Sequence, residues 1–198
     1  MVSRGRISPT SAARAAAGVV ALGMSTSVLA DPITPSSALD GLLPDGPPMH
    51  ASAALGFMFA SIALLLAIPG FGRLATAFGA AAVALGALVL ARDLLPIEAA
   101  IDAVIDEAGT ALGSGGQAPH RARLAPDDAL GLVLTGMAAS CRGSLRPIAV
   151  ACGVVALAMG LAASVACATG LSLHDWGSLT LASPATAASM LLLNAALL

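Results

Sequence analysis

Glu98, Asp102 and Asp106 recur every four residues, the spacing that places side chains on one face of a helix. A carboxylate stripe can meet divalent cations, but an oxygen cage draws its ligands together from a loop. Ile97, Ile101, Val104, Ile105 and Ala108 fall on another face of the same segment. Residues 96–112 are therefore expected to form an amphipathic helix lying on a membrane surface, with its acids in water. His50 and His174 stand at the ends of apolar segments. Two such imidazoles could ligate haem or a metal across a bundle, but each is expected to be a polar group at the interface. Cys141, Cys152 and Cys167 form no CxxC or CxxCH pattern. They lie in or beside apolar stretches, where thiols pack as small apolar groups; a redox pair or metal site is the weaker reading. No nucleophile constellation, phosphate-binding glycine loop or metalloprotease pattern occurs. The expectation is no catalytic residue, no cofactor-binding residue and no metal ligand, hence a chain that is not itself an enzyme.

The elements that would hold these residues are set by composition. Of 198 residues, 58% are hydrophobic and 10% are charged, against about 25% charged in ordinary soluble domains. Mean hydropathy is +0.91. So few charges cannot cover a soluble domain of this size, and apolar runs of about 18 residues or more call for lipid around them. There is no Tyr and all nine basic residues are Arg, for a net charge of −2. No basic stripe exists, so nucleic acid is not an expected partner. The bilayer is.

The fold expected is all-α: a multi-pass transmembrane helical bundle of five or six spans. Arg4, Arg6 and Arg14 precede the apolar stretch Ala15–Ala30. Its ending, Ser27-Val28-Leu29-Ala30, suits signal-peptidase cleavage. Residues 1–30 are thus either a signal peptide or a first transmembrane helix. Residues 31–48, rich in Pro, Ser and Asp, read as an extracytoplasmic loop. A transmembrane hairpin follows over 49–92, with spans Met49–Pro69 and Leu74–Ala91 about the turn Gly70-Phe71-Gly72-Arg73. Residues 93–128 form a second extracytoplasmic loop carrying the amphipathic helix. The second hairpin covers 129–170, with spans Ala129–Cys141 and Ile148–Gly170 about the turn Arg142–Pro147. A short loop, 171–180, precedes the final segment 181–198. Trp176 fits an interfacial anchor.

Charge gives the orientation. With the N-terminus inside, Arg4, Arg6, Arg14, Arg73, Arg142 and Arg146 are cytoplasmic, as the positive-inside bias requires. Arg92, Arg121 and Arg123 fall outside, together with all 11 acids. The C-terminus then faces the cytoplasm of a bacterial inner membrane. No Asp, Glu, Arg or Lys lies at mid-depth of a span, which disfavours a pump or coupled transporter. Small residues spaced by four, Ser52/Gly56/Ala60 and Ala156/Gly160/Ser164, offer close helix packing, as do Gly79 and Gly86.

An internal repeat runs through the chain. Met49-His50-Ala51-Ser52-Ala53-Ala54-Leu55-Gly56 aligns with Leu124-Ala125-Pro126-Asp127-Asp128-Ala129-Leu130-Gly131, and a third copy reads Ala182-Ser183-Pro184-Ala185-Thr186-Ala187-Ala188-Ser189. Pro in the first turn, with Asp, Ser or Thr around it, makes an N-terminal cap. After the first two copies come an Arg-bearing turn and a Gly/Ala-rich return helix. The openings at 124–130 and 182–188, and the loop Arg92-Asp93-Leu94-Leu95-Pro96-Ile97-Glu98-Ala99-Ala100-Ile101-Asp102, resemble phrases in the multi-span N-terminal membrane region of bacterial sensor histidine kinases and diguanylate cyclases. The resemblance covers residues 49–198 and its motifs are short. It departs from the pattern where the first copy lacks Pro, and the kinase or cyclase output domain is absent.

After Pro184, 14 residues remain and none is charged. They reach about 21 Å at 1.5 Å per residue, short of the roughly 30 Å hydrocarbon core. The chain is accordingly expected to be a fragment whose cytoplasmic continuation is missing; the alternative is a short protein in a locally thinned bilayer. The resemblance implies a membrane-embedded sensory input region, non-catalytic by itself, with a cytoplasmic kinase or cyclase output domain as its partner and a homodimer left open. The alternatives are a structural or assembly subunit of an inner-membrane complex, and a channel or transporter component.

Overall fold

The computed structural model describes residues 8–30, 49, 51–68, 71–94, 126–141, 143–169 and 183–198. The amphipathic segment 96–112, the loops at 31–48 and 171–180, and His50 and His174 lie outside them. The described residues form six α-helices: α1 (Pro9–Ala30), α2 (Ala51–Ala67), α3 (Gly72–Leu94), α4 (Pro126–Ser140), α5 (Arg146–Thr169) and α6 (Pro184–Leu197). No strand occurs among the described residues. The all-helical architecture follows from the sequence. Three helices are long and apolar enough to cross a membrane, over Pro9–Leu29, Gly72–Ala91 and Gly143–Thr169. These belong to α1, α3 and α5.

Local sequence explains the helix starts. Ser183 caps α6 from an extended conformation, its hydroxyl accepting from the Thr186 backbone N–H at 3.1 Å, with Pro184 next. That is the expected Ser-Pro opening. Ser8 does the same for α1, accepting from the Ser11 N–H at 3.2 Å. The first helix therefore begins at Pro9 rather than Ala15, because Ser8-Pro9 is itself a cap followed by a residue that needs no donor. Pro147 sits inside α5 rather than in the preceding turn. In the first turn its missing N–H would have had no partner in any case. Gly143, at φ +62°, starts the short 3-10 turn Gly143–Leu145 that leads into α5.

The six helices form a closed ring. Each packs on its neighbour in sequence, and α1 packs on α6 to complete the circuit. Among the described residues, the main contacts across the ring join α2 with α4, α4 with α6, and α2 with α6. So α2, α4 and α6 make an inner triad, while α1, α3 and α5 stand outside it. Gly56 of α2 faces Leu132 of α4, and Gly131 of α4 faces Met190 of α6. Four residues on in each helix, Thr135 of α4 meets Asn194 of α6, so these two inner helices run parallel. The outer helices run antiparallel to them: Gly79 meets Ser140 while Gly86 meets Ala129, and Gly153 meets Leu198 while Gly160 meets Met190.

Burial separates the two layers. Phe57, Leu132 and Leu193, all nearly inaccessible, come from the three inner helices and join Ala53, Ala54, Ala60 and Met190 in one core. The outer helices turn large apolar side chains outward, among them Val19 at 59%, Leu88 at 61% and Val165 at 58% exposure. An exposed apolar face on every outer helix is what a lipid surround requires and what water penalises. Length agrees. The outer helices have 22, 23 and 24 residues, about 33–36 Å at 1.5 Å per residue, and so exceed a hydrocarbon core of about 30 Å. The inner helices have 17, 15 and 14 residues, about 21–26 Å.

The three repeat openings lie at the N-terminal ends of the three inner helices. In the first two units the return helix is the outer α3 or α5. The place beside α6 is filled by α1.

Candidate functional site

Within the largely apolar inner triad, a side-chain hydrogen bond links α6 to α4. Asn194 and Thr135 are fully buried. The Asn194 side-chain amide donates from Nδ2 to the Thr135 Oγ1 at 2.9 Å and to the Met190 carbonyl at 2.8 Å. The Thr135 hydroxyl donates to the Gly131 carbonyl one turn back, at 2.8 Å. The Asn194 Oδ1 and the Ser189 Oγ, both on α6, are buried without a hydrogen-bond partner. Ser25 and Ser61 are buried too, but each donates to its own helix, to Ala21 at 2.9 Å and Phe57 at 2.7 Å. Such back-bonding satisfies a hydroxyl within an apolar interior. Polar capacity thus exceeds pairing at this α4–α6 seam, as it does at Asp127, whose Oδ1 is also buried without a partner.

Glycine sets how closely the surrounding helices approach. A Cβ on Gly136 would lie 2.9 Å from the Gly79 carbonyl and from Val83, and one on Gly86 would lie 2.9 Å from the Ala129 carbonyl. The α3 and α4 backbones are therefore in direct contact. Gly56 and Gly160, members of the small-residue rows read from the sequence, likewise receive Leu132 and Met190. These rows serve packing.

Asp127 and Asp128 occupy the first turn of α4, ahead of the apolar run that begins at Ala129. Asp128 is buried at 6% exposure. Burial pushes its carboxyl up to about 7, and the adjacent Asp127 charge adds to the rise. Asp127 is also raised by burial, against which its own backbone N–H and that of Asp128 act. The two carboxyls sit at the end of the ring opposite Arg14, Arg73 and Arg146, which lie at or near the N-terminal ends of the outer helices.

Among the described residues, no group of three His, Cys, Asp or Glu side chains converges as a metal site would require. Glu98, Asp102, Asp106, His50 and His174 lie outside the described residues. Cys141, Cys152 and Cys167 are half-buried and form no disulfide. The seam pairs a hydroxyl with a carboxamide. Neither group can act as a base at neutral pH, so the arrangement offers a link between helices rather than an activated nucleophile.

Asn194 and Thr135 carry no charge and so lack the mid-span signal that Asp, Glu, Arg or Lys would give. One signal was present: Asn194 is the only asparagine in the chain, and it interrupts an apolar run.

The chain was compared with protein-family models, with curated proteins and with solved structures, and it matches none of them.

Proposed function

We propose that this chain is the membrane-embedded input region of a bacterial signal-transduction protein, and that it biases a cytoplasmic output enzyme by shifting the inner helices. The observation that carries this reading is the α4–α6 seam. One interhelical hydrogen bond joins two helices that otherwise meet through small and apolar side chains, and α6 keeps two buried acceptors unmatched. A packing that leaves polar capacity unused lies near others of similar energy, because rotating or sliding α6 can exchange one hydrogen bond for another. Switching by small helix displacements needs such a pair of packings. The arrangement of the ring favours keeping α1 as a transmembrane helix, since it closes the circuit against α2 and α6.

In this reading the protein spans the inner membrane with Arg14, Arg73 and Arg146 at the cytoplasmic end and Asp127 and Asp128 outside. The end of α6 leads toward the output domain, and the chain has no turnover of its own. The filled interior around Phe57, Leu132 and Leu193 weighs against a pore along the triad.

The experiment follows the natural reading frame past codon 198 and assays the resulting protein. An in-frame kinase, cyclase or phosphodiesterase domain whose output changes on Asn194→Leu supports the proposal. Autophosphorylation or cyclic dinucleotide synthesis by residues 1–198 alone, lost on mutating a residue of this chain, would overturn it. A stop codon with no output enzyme co-purifying would favour the assembly-subunit alternative.

A further inference from the structure

At the arginine end of the ring, α1, α2, α4, α5 and α6 surround a cavity of about 330 Å³. Two arginines line it, Arg14 from α1 and Arg146 from α5, with no Asp or Glu; the one acidic group of the lining is the α-carboxyl of Leu198. The rest of the wall is mainly small and apolar, including Ala67, Ala139 and Ala149. A second, larger space of about 700 Å³ opens beside it. This one is a groove between the outer helices α1 and α5, floored by the inner helix α6. Ala17, Leu157, Leu161, Leu191 and Leu192 line it. Arg14, Ala196 and Leu198 border both spaces.

We propose that the two spaces together bind one anionic phospholipid, its phosphate held by Arg14 and Arg146 and an acyl chain laid along the groove. Each half of the argument constrains the other. Guanidinium groups bind phosphate through paired N–H donors, and two arginines lining one cavity with no Asp or Glu side chain outweigh the single α-carboxyl of Leu198 there. A soluble phosphate compound would account for that cavity but not for the apolar groove continuous with it. A neutral lipid would account for the groove but not for the arginines. A headgroup cavity opening at a shared rim into a chain-sized apolar groove has the polarity profile of an amphiphile. The groove also lies between two helices whose outer faces are apolar, so its contents exchange with the bilayer rather than with water. Basic pockets between transmembrane helices on the cytoplasmic side are suited to anionic headgroups.

The groove runs along α6 between α1 and α5, and α6 carries the seam residue Asn194. A bound lipid would therefore fix the position of α6 relative to α1 and α5. That consequence depends on the proposed function; the binding itself does not.

The test titrates the purified full chain in neutral detergent with phosphatidylglycerol, phosphatidylcholine, glycerol 3-phosphate and inorganic phosphate, counting bound molecules by native mass spectrometry. Retention of one phosphatidylglycerol is expected, with no retention of phosphatidylcholine under the same conditions. The double variant Arg14→Gln with Arg146→Gln should weaken it about 25-fold, taking about fivefold for each arginine. Arg73→Gln, at the same end but away from both spaces, should change it by less than about twofold. Ala195→Trp fills the groove and should weaken lipid binding while the arginines remain. Equal losses with Arg73→Gln would reduce the effect to diffuse charge and overturn the site. Equal binding of phosphatidylcholine, or of glycerol 3-phosphate with no effect of Ala195→Trp, would overturn it in favour of a plain groove or a soluble-anion pocket. Circular dichroism checks each fold, and if the double arginine variant does not fold, Ala195→Trp and the ligand comparison decide the matter.

Discussion

Asn194 of α6 donates a hydrogen bond to Thr135 of α4 at 2.9 Å with both side chains fully buried. Interhelical hydrogen bonds within membranes are individually modest, averaging about 0.6 kcal/mol and reaching about 1.7 kcal/mol. A double-mutant cycle between Asn194→Ala and Thr135→Val should therefore give a coupling of about 0.6–1.7 kcal/mol in detergent unfolding. Thr135→Ser retains the hydroxyl, so the cycle of Asn194→Ala with Thr135→Ser should give a coupling near zero. A coupling near zero in the Thr135→Val cycle would remove the seam from the energetics.

The contact of α3 with α4 should be intolerant of added volume. Gly136→Ala places a methyl group 2.9 Å from the Gly79 carbonyl, and backbone cannot swing aside as a side chain can. A loss of about 1–3 kcal/mol is expected. Gly23→Ala meets no atom within 4 Å and should be neutral, or stabilising by up to about 1 kcal/mol through helix propensity. The comparison is read from thermal unfolding of both variants under identical detergent conditions.

Stability should fall as pH rises through the weakly acidic range. The folded Asp128 holds its proton up to about pH 7, whereas its ordinary value is 3.8. Between these values the folded state binds more protons than the unfolded one, so raising the pH favours unfolding. Below about 4 both states are protonated, above about 7 both are ionised, and the slope ends in each direction. Melting temperatures near pH 4.5 and 7.5 should show the drop, and Asp128→Asn should flatten it.

Sidedness is open to direct labelling. In a background with Cys141, Cys152 and Cys167 replaced by Ala, single cysteines at Arg73 and Arg146 should react with an impermeant maleimide only after the inner membrane is opened. A cysteine at Asp127 or Asp102 should react in intact spheroplasts. Reaction of positions 73 and 146 from outside would invert the orientation.

Much of the helical frame was legible in the sequence because the signal is long and additive. An apolar run of some twenty residues needs no partner to be recognised. The Ser183-Pro184 start of α6 was readable for a local reason, a hydroxyl followed by a residue without a donor. Ser8-Pro9 carries the same information, but Arg14 separates it from the apolar run that begins at Ala15. Which helices lie inside was not legible from hydropathy. Leu132 at the core and Leu88 on the outer surface are the same residue type, and in a bilayer both environments are apolar. The glycines did not separate the layers either, since Gly79, Gly86 and Gly160 on outer helices make approaches as close as Gly56, Gly131 and Gly136 on inner ones. Asn194 escaped attention because its partner, Thr135, is distant in sequence, and pairing across helices leaves no periodic trace.

The closure of the ring by α1 against α6 bears on the order of assembly. During synthesis α1 enters the membrane first and α6 last, so their shared edge is the contact of greatest sequence separation in the bundle. Until α6 arrives, α2 and α4 present their inward faces to a vacant position, and α1 has only one flank engaged. Local contacts form first and distant ones carry the larger entropic cost, so completion of the bundle should hinge on the late docking of one short helix. Substitutions in α6 should accordingly lower the yield of mature protein more than they lower the stability of molecules that have already matured.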